Sequence, residues 1–104
     1  MTGVEKQRLE YLAQIFKALS HPARLWIAES LLKQERCVHE LVEELGLNFS
    51  TVSQHLSVLK QAGIIEDDKR GKNVYYRLKA VCVRSVIRCL EEGIANPHRK
   101  SGKE

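Results

Sequence analysis

The apolar residues in the first part of the chain recur at helical spacing, and short polar breaks divide them into segments. The segment 4–19 carries an apolar stripe made of Leu9, Leu12, Ile15, Phe16 and Leu19. The break SHPARL follows, and Pro22 fits the first turn of a second helix that Ser20 or His21 would cap. The buried stripe expected for this second helix is Leu25, Ala28, Leu31 and Leu32.

Two further helical segments follow with very few residues between them. A short third helix is predicted from the stripe Val38, Leu41, Val42 and Leu45. Gly46 is suited to end it in a left-handed conformation. The stretch NFSTVSQHLSVLKQAG predicts a fourth helix, capped by Asn48 and ended by Gly63, that buries Val52, Leu56 and Leu59. Two helices joined by so short a turn are typical of a helix-turn-helix.

After Gly63 the apolar period shortens from about 3.6 towards 2, which predicts strands. GIIEDD and NVYYRL flank the polar turn KRGK, so the expected element is a hairpin with a basic tip. Helical spacing returns over residues 79–93, with Cys82, Val86 and Cys89 on one stripe and Val83, Ile87 and Leu90 beside it.

The predicted fold class is therefore mainly α with a small β-hairpin: a winged helix-turn-helix of five helices plus a two-stranded wing. Residues 1–95 are expected to form one winged helix-turn-helix domain for DNA binding and dimerisation. Residues 96–104 are expected to be a basic, flexible tail.

Composition narrows the class of protein without fixing its function. The 104 residues are 43% apolar and 29% charged, which fits one globular domain, and the net charge of +4 weakly favours a polyanionic partner. No apolar run reaches the roughly 18 residues of a membrane span, and no signal-peptide pattern opens the chain. Three cysteines do not form a disulfide framework, so we expect a reducing, cytoplasmic compartment and no membrane partner.

The fourth helix and the hairpin tip carry the candidate chemistry. A helix about 11 Å wide fits a B-DNA major groove of about 12 Å, and short polar side chains reach base edges and phosphates. The predicted DNA-binding residues are Asn48, Ser50, Thr51, Ser53, Gln54, His55 and Lys60 on the helix, and Lys69, Arg70 and Lys72 on the hairpin. The alternative for the helix alone is an ordinary solvated face. An enzyme is disfavoured, because no nucleophile beside a base, phosphate loop or paired carboxylate is present.

Three stretches, in this order and spacing, resemble the ArsR/SmtB family of metal- and metalloid-responsive repressors: FKALSHPARLWIAESLL, CVHELVEELGLNFSTVSQHLSVLKQAGII and RGKNVYYRL. The resemblance covers about residues 12–90. It implies a homodimeric transcriptional repressor that binds double-stranded operator DNA and leaves it when an inducer binds. The first and last helices would form the dimer interface.

The resemblance leaves the inducer open. Arsenic- and cadmium-type members begin the third helix with Cys-Val-Cys, where this chain has Cys37, Val38 and His39, and the third thiol of the arsenic type falls on Val42. Cys37 with His39 is a candidate pair for a divalent ion. The alternative is that Cys37 only starts the helix and His39 is solvated.

Cys82 and Cys89 are the remaining thiols, and they are either sensors of a metalloid or oxidant or buried core cysteines. The implied inducer is therefore a thiol-reactive ion such as As(III), Cd(II) or Zn(II), with no other cofactor. The alternative function is a regulator that responds to oxidant or sulfide, or to no ligand, with structural cysteines.

Overall fold

The computed structural model describes residues 1–94 and has the winged helix-turn-helix fold that the sequence predicts. The helices are α1 (Gly3–Leu19), α2 (Pro22–Ser30), α3 (Val38–Leu45), α4 (Phe49–Gln61) and α5 (Val83–Gly93). The strands are β1 (Arg36–Cys37), β2 (Ile65–Arg70) and β3 (Asn73–Leu78). The predicted tail, residues 96–104, lies outside the described residues.

Side-chain caps fix the helix starts at the residues that the sequence marks. His21 is the cap of α2, where its Nδ1 accepts a hydrogen bond of 3.1 Å from the Ala23 N–H, and Pro22 is the first helical residue. Asn48 caps α4 through a 2.7 Å bond from the Thr51 N–H to its Oδ1. Gly46 ends α3 at φ 68°, a left-handed conformation that glycine adopts without steric cost.

The core lies between α2, α3, α4 and the start of β2. Its least exposed large side chains are Ile27, Leu41, Val52, Leu56, Leu59, Ile64 and Ile65. The predicted stripe of α2 was wrong at one position, because Leu25 is 37% exposed and Ile27 is fully buried. Apolar residues surround much of this helix, so periodicity alone did not locate the centre of its buried face.

The wing belongs to a sheet of three strands rather than two. The strand order is β1-β3-β2 and both pairings are antiparallel, with Arg36 opposite Tyr76 in the first and Arg70 opposite Asn73 in the second. A strand of two residues is too short to show a period, which is why sequence analysis missed β1. Gly71, in the two-residue turn, has φ 62°, as the first position of a type II′ turn requires.

The last helix begins at Val83, four residues later than predicted. The N–H groups of Lys79 and Ala80 both donate to the carbonyl oxygen of Ile64, at 2.8 and 3.0 Å. These two bonds tie the chain to the start of the wing and keep it out of a helix. Cys82 is therefore the residue before α5 rather than part of its first turn.

Two helices leave apolar side chains in solvent. In α1 only Ala18 is buried, whereas Leu9, Leu12 and Phe16 are 44%, 37% and 61% exposed. In α5 only Val83 is buried, and Leu90 is 52% exposed. Contiguous exposed apolar surface of this kind marks an interaction site. Within residues 1–94, no helix is both long enough and apolar enough to cross a membrane.

Candidate nucleic-acid interface

The outer face of α4 presents short polar side chains from its first residues onward. Ser50, Ser53 and Gln54 are exposed and, together with Phe49 and Ser57, line a shallow surface open to solvent. These side chains lie on the solvent-exposed side of α4, which follows α3 after a turn of only three residues. Phe49 and Ser57 were not among the predicted residues, although Ser57 shares the helical spacing of Ser50, Ser53 and Gln54.

Thr51 and His55 lie on a different side of α4 from this exposed face. Both were predicted to bind DNA, and both are half-buried. The physical reason is helical spacing, which places Thr51 and His55 beside the buried residues Val52, Leu56 and Leu59. The fully exposed polar face of α4 therefore excludes Thr51 and His55.

His55 packs against the cap of α2. Its ring centroid lies 4.5 Å from that of His21, and the two ring planes are inclined by 48°. Partial burial lowers the pKa of His55, and the neighbouring His21 and Arg24 lower it further. His55 thus joins α4 to α2 in a contact that favours its neutral form, a role that sequence analysis did not find.

Two lysines on the wing are available to an anion. Lys69 and Lys72 are exposed, and neither side chain forms a hydrogen bond or an ion pair within residues 1–94. Both lie next to the turn at Gly71, where the hairpin projects furthest from the core. They are the wing cations that the sequence predicts.

Arg70 forms hydrogen bonds and ion pairs with acidic side chains of the protein. Its guanidinium donates two hydrogen bonds to Glu35, at 3.0 and 2.9 Å, and a third of 2.9 Å to Asp68, and it lies 4.8 Å from the centre of the Tyr75 ring. The bonds from Arg70 lower the pKa of Glu35, and Glu35 in turn raises that of Arg70. A DNA contact by Arg70, as the sequence predicts, would therefore compete with these exposed ion pairs, which already balance its charge.

Lys60 is also paired. Its Nζ lies 3.0 Å from Asp67 Oδ2, and this contact joins the end of α4 to β2. Both side chains are substantially exposed, so the pair is weak and DNA phosphate can compete for the lysine.

Cys37 and His39 stand at an ordered helix start. Cys37 is the half-buried cap residue of α3, and its N–H donates a 2.9 Å hydrogen bond to Glu40 Oε1, which lowers the pKa of that carboxyl. His39 is exposed, with its ring centroid 6.4 Å from that of Phe49. Cys37 is the last residue of β1 and His39 is the second residue of α3, so the two candidate ligands lie in different elements.

Cys82 and Cys89 are exposed, and all three cysteines are free thiols. The interpretation of Cys82 and Cys89 as core cysteines is therefore wrong for the single chain. Across residues 1–94, no three His, Cys, Asp or Glu side chains are grouped so that they could hold a metal ion. Residues 1–94 of one chain thus do not by themselves provide a three-ligand site for a metal or metalloid.

A helix-turn-helix with a polar front face and a lysine-bearing wing defines the class of winged-helix DNA-binding proteins. Residues 21–67 match the family model described as "Bacterial regulatory protein, arsR family". The HTH-type transcriptional repressor SmtB of Mycobacterium tuberculosis is 40% identical over 73 residues, 70% of this chain and 54% of that protein. The biofilm growth-associated repressor of Xylella fastidiosa is 34% identical over 85 residues, 82% of this chain and 75% of that protein. The chain belongs to the ArsR family, a family of transcriptional regulators and not of enzymes.

Solved structures agree with this assignment. NolR from Sinorhizobium fredii superposes with a TM-score of 0.79 at 29% identity, covering 88% of this chain and 92% of that chain. The homodimeric winged helix-turn-helix domain of Mb0332 from Mycobacterium bovis gives 0.76 at 28% identity, covering 94% and 97%. This chain spans about half the length of the M. tuberculosis relative.

Proposed function

We propose that this protein is a homodimeric transcriptional repressor that binds an inverted-repeat operator through α4 and the wing. The observation that carries the proposal is the exposed face of Ser50, Ser53 and Gln54, accompanied by the unpaired lysines Lys69 and Lys72. The serine and glutamine side chains can read base edges, and the lysines can bind phosphates. Membership of a family of transcriptional regulators supports this function, and a protein with this function is expected to act on DNA in the cytoplasm.

Dimer formation is supported by the exposed apolar faces of α1 and α5. Leu9, Leu12 and Phe16 on α1 and Leu90 on α5 are exposed, and the rest of residues 1–94 does not cover them. A second copy would bury both faces, and the M. bovis relative is described as homodimeric. A dimer would present two copies of α4 to two half-sites.

Binding of an operator duplex, followed by fluorescence anisotropy, tests the DNA-binding role. Gln54→Ala should lower the ratio of operator to non-operator affinity by about 10-fold, because a good bidentate pair with a base contributes roughly 1–3 kcal/mol. Gln34→Ala, in the exposed segment between α2 and β1, is a matched control and should leave that ratio unchanged. Equal affinity of the wild type for operator and unrelated DNA would refute sequence-specific repression.

The inducer is proposed to act through thiols. Cys82 and Cys89 are exposed and flank Val86 on the side of α5 that also carries Leu90, so a dimer through this side would bring thiols of two copies close together. A metalloid such as As(III), or Cd(II), favours sulfur ligands, and two copies can supply the ligands that one lacks. Cys37 with His39 is the remaining proposal for a divalent ion such as Zn(II).

A second candidate is a response to oxidant or sulfide without a bound ion. It is favoured by the absence of a three-ligand group within residues 1–94 and by the exposure of the α5 thiols. Operator release should be measured against As(III), Cd(II), Zn(II), peroxide and polysulfide for the wild type and for each Cys→Ser variant. Release by an ion that requires Cys82 or Cys89 supports the first candidate, and release by oxidant alone supports the second. Normal release from the triple Cys→Ser variant would contradict both.

A further inference from the structure

A pocket of about 420 Å³ opens between α1, α2 and the carboxyl-terminal half of α4. Its polar lining consists of two cations, Lys17 and Arg24, and two amides, Gln14 and Gln61. Its remaining lining residues are apolar, and none of the lining residues is acidic. Such a lining offers several hydrogen-bond donors and two positive charges but no competing carboxylate, which suits an oxyanion.

The two cations have no acidic partner in the protein. Neither Lys17 nor Arg24 forms an ion pair within residues 1–94, and the enclosed Nε of Arg24 has no hydrogen-bond acceptor there. Enclosed donors are normally bonded, so an unpaired guanidinium nitrogen beside a pocket calls for an acceptor. The charge of Arg24 also reaches α4, because it contributes to the lowered pKa of His55.

The pocket continues the DNA-facing side of α4. Gln61 follows Gln54 by seven residues, which in a helix places it on nearly the same side and about 10 Å further along the axis. Side chains at the front of the helix reach into the major groove, and the groove is bordered by phosphates. A donor-rich pocket one to two turns further along the same side of α4 is thus well placed to bind a phosphate of the DNA backbone that borders the groove.

The proposed dimer leaves this pocket accessible. Gln14 is two residues from both Leu12 and Phe16, so helical geometry turns its side chain about 160° away from each of them. The exposed apolar face of α1 and the pocket therefore lie on nearly opposite sides of the helix.

We infer that this pocket is a phosphate-binding site in which Lys17 and Arg24, assisted by Gln14 and Gln61, hold a phosphate group. The placement along α4 favours a phosphodiester of the operator backbone, and the same chemistry would bind a free phosphate compound. The inference adds a third protein–DNA contact region to α4 and the wing, and in that respect it rests on the proposed function.

The first experiment measures operator affinity over a KCl series for the wild type, Lys17→Gln and Arg24→Gln. One lost phosphate contact per protomer should reduce the slope of log affinity against log salt by about two per dimer, and weaken operator and unrelated DNA equally. Lys6→Gln is the control, since it removes the same charge from α1 about 16 Å along the helix from Lys17. Lys17 is exposed, so Lys17→Gln carries the test if Arg24→Gln does not fold.

The second experiment titrates inorganic phosphate into the DNA-free protein at constant ionic strength, with chloride as the reference, and follows backbone and side-chain amide NMR signals. Shifts of the Gln14 and Gln61 side-chain amides that vanish in Lys17→Gln would indicate phosphate in the pocket. A changed salt slope identifies the operator backbone as the source, whereas shifts with an unchanged slope identify a free phosphate compound.

An unchanged slope without phosphate-dependent shifts would overturn the inference while leaving operator binding intact. If the wild type bound no DNA, the proposed function would fail. The phosphate titration would still show whether the pocket binds phosphate.

Discussion

The imidazoles of His21 and His55 form the contact between the cap of α2 and the recognition helix. The Nδ1 of His21 accepts the Ala23 N–H, so it must be unprotonated for the cap to exist. The His55 ring lies 4.5 Å away and is half-buried, with Arg24 as a further positive neighbour. A proton on either ring would remove the cap or place a second positive charge in a partly desolvated contact. Protonation of His55 is therefore disfavoured in this contact.

We expect the protein to lose stability in mild acid. The folded pKa of His55 lies below its ordinary 6.5, so the unfolded chain binds more protons, and the loss begins as the pH falls below about 6.5. His21→Asn keeps a capping acceptor and removes one imidazole, and should make the melting temperature less dependent on pH. Thermal unfolding between pH 7.5 and 5.5 measures this, with His39→Asn as the control at an exposed histidine. An equal pH dependence of the melting temperature in wild type and His21→Asn would contradict the role proposed for the contact between His21 and His55.

At the scale of elements, the features that the sequence predicted correctly are those that depend on interactions between residues close together in the chain. The cap at Asn48, the left-handed Gly46 and the stripe Val52, Leu56 and Leu59 each follow from side chains a few residues apart, and the structure agrees with all of them. Such features could be predicted because caps and helical spacing act within one or two turns.

The features that the sequence did not predict depend on contacts between distant residues. Strand β1 exists because Arg36 and Cys37 pair with Tyr76 and Tyr75, and α5 starts late because Ile64 accepts two backbone bonds. The partner of Arg70 is Glu35, which lies 35 residues away. No local pattern encodes such pairings, so sequence analysis did not identify Glu35 as the partner of Arg70.

The cap of α4 offers a test of stability at the recognition helix. Asn48→Ala should lower the free energy of unfolding by about 1 kcal/mol, because the Thr51 N–H loses its acceptor. Asn48→Asp should keep that stability, since a carboxylate also accepts this bond, and yet weaken DNA binding by repelling phosphate. Urea unfolding and operator titration separate the two effects. An Asn48→Ala variant as stable as the wild type would argue against the cap.

The wing offers a test of how its positive charges contribute to DNA binding. Lys72→Gln should lower the salt dependence of DNA binding by about one unit per phosphate contact, with sequence preference unchanged. Arg70→Gln should change the salt dependence less and instead loosen the hairpin, because Glu35 and Asp68 lose their partner. Affinity measured over a salt series, with hydrogen exchange of the β2 and β3 amides, compares the two variants. A larger salt effect for Arg70→Gln than for Lys72→Gln would reverse this assignment.

At the scale of the whole molecule, the single chain is incomplete in two respects. Its first and last helices expose apolar side chains that the other described residues do not cover, and within residues 1–94 no three metal-binding side chains are grouped together. A second copy packed against α1 and α5 would cover the exposed apolar side chains and supply further ligands. It would also set two recognition helices about 34 Å apart, one helical turn of DNA, so that the operator reads as an inverted repeat.

We therefore expect Phe16→Glu combined with Leu90→Glu to give a folded monomer. A charge in each exposed apolar face opposes burial of that face, while neither side chain belongs to the core of the chain, so the helical content should persist. Operator affinity should fall by about 100-fold or more, because two linked half-site contacts bind that much more tightly than one. Sedimentation equilibrium at micromolar concentration and far-UV circular dichroism measure assembly and folding. Arg88→Glu, two residues from Leu90 and thus on the other side of α5, is the matched control and should stay dimeric. A wild type that is monomeric and binds one copy per operator would contradict the dimer.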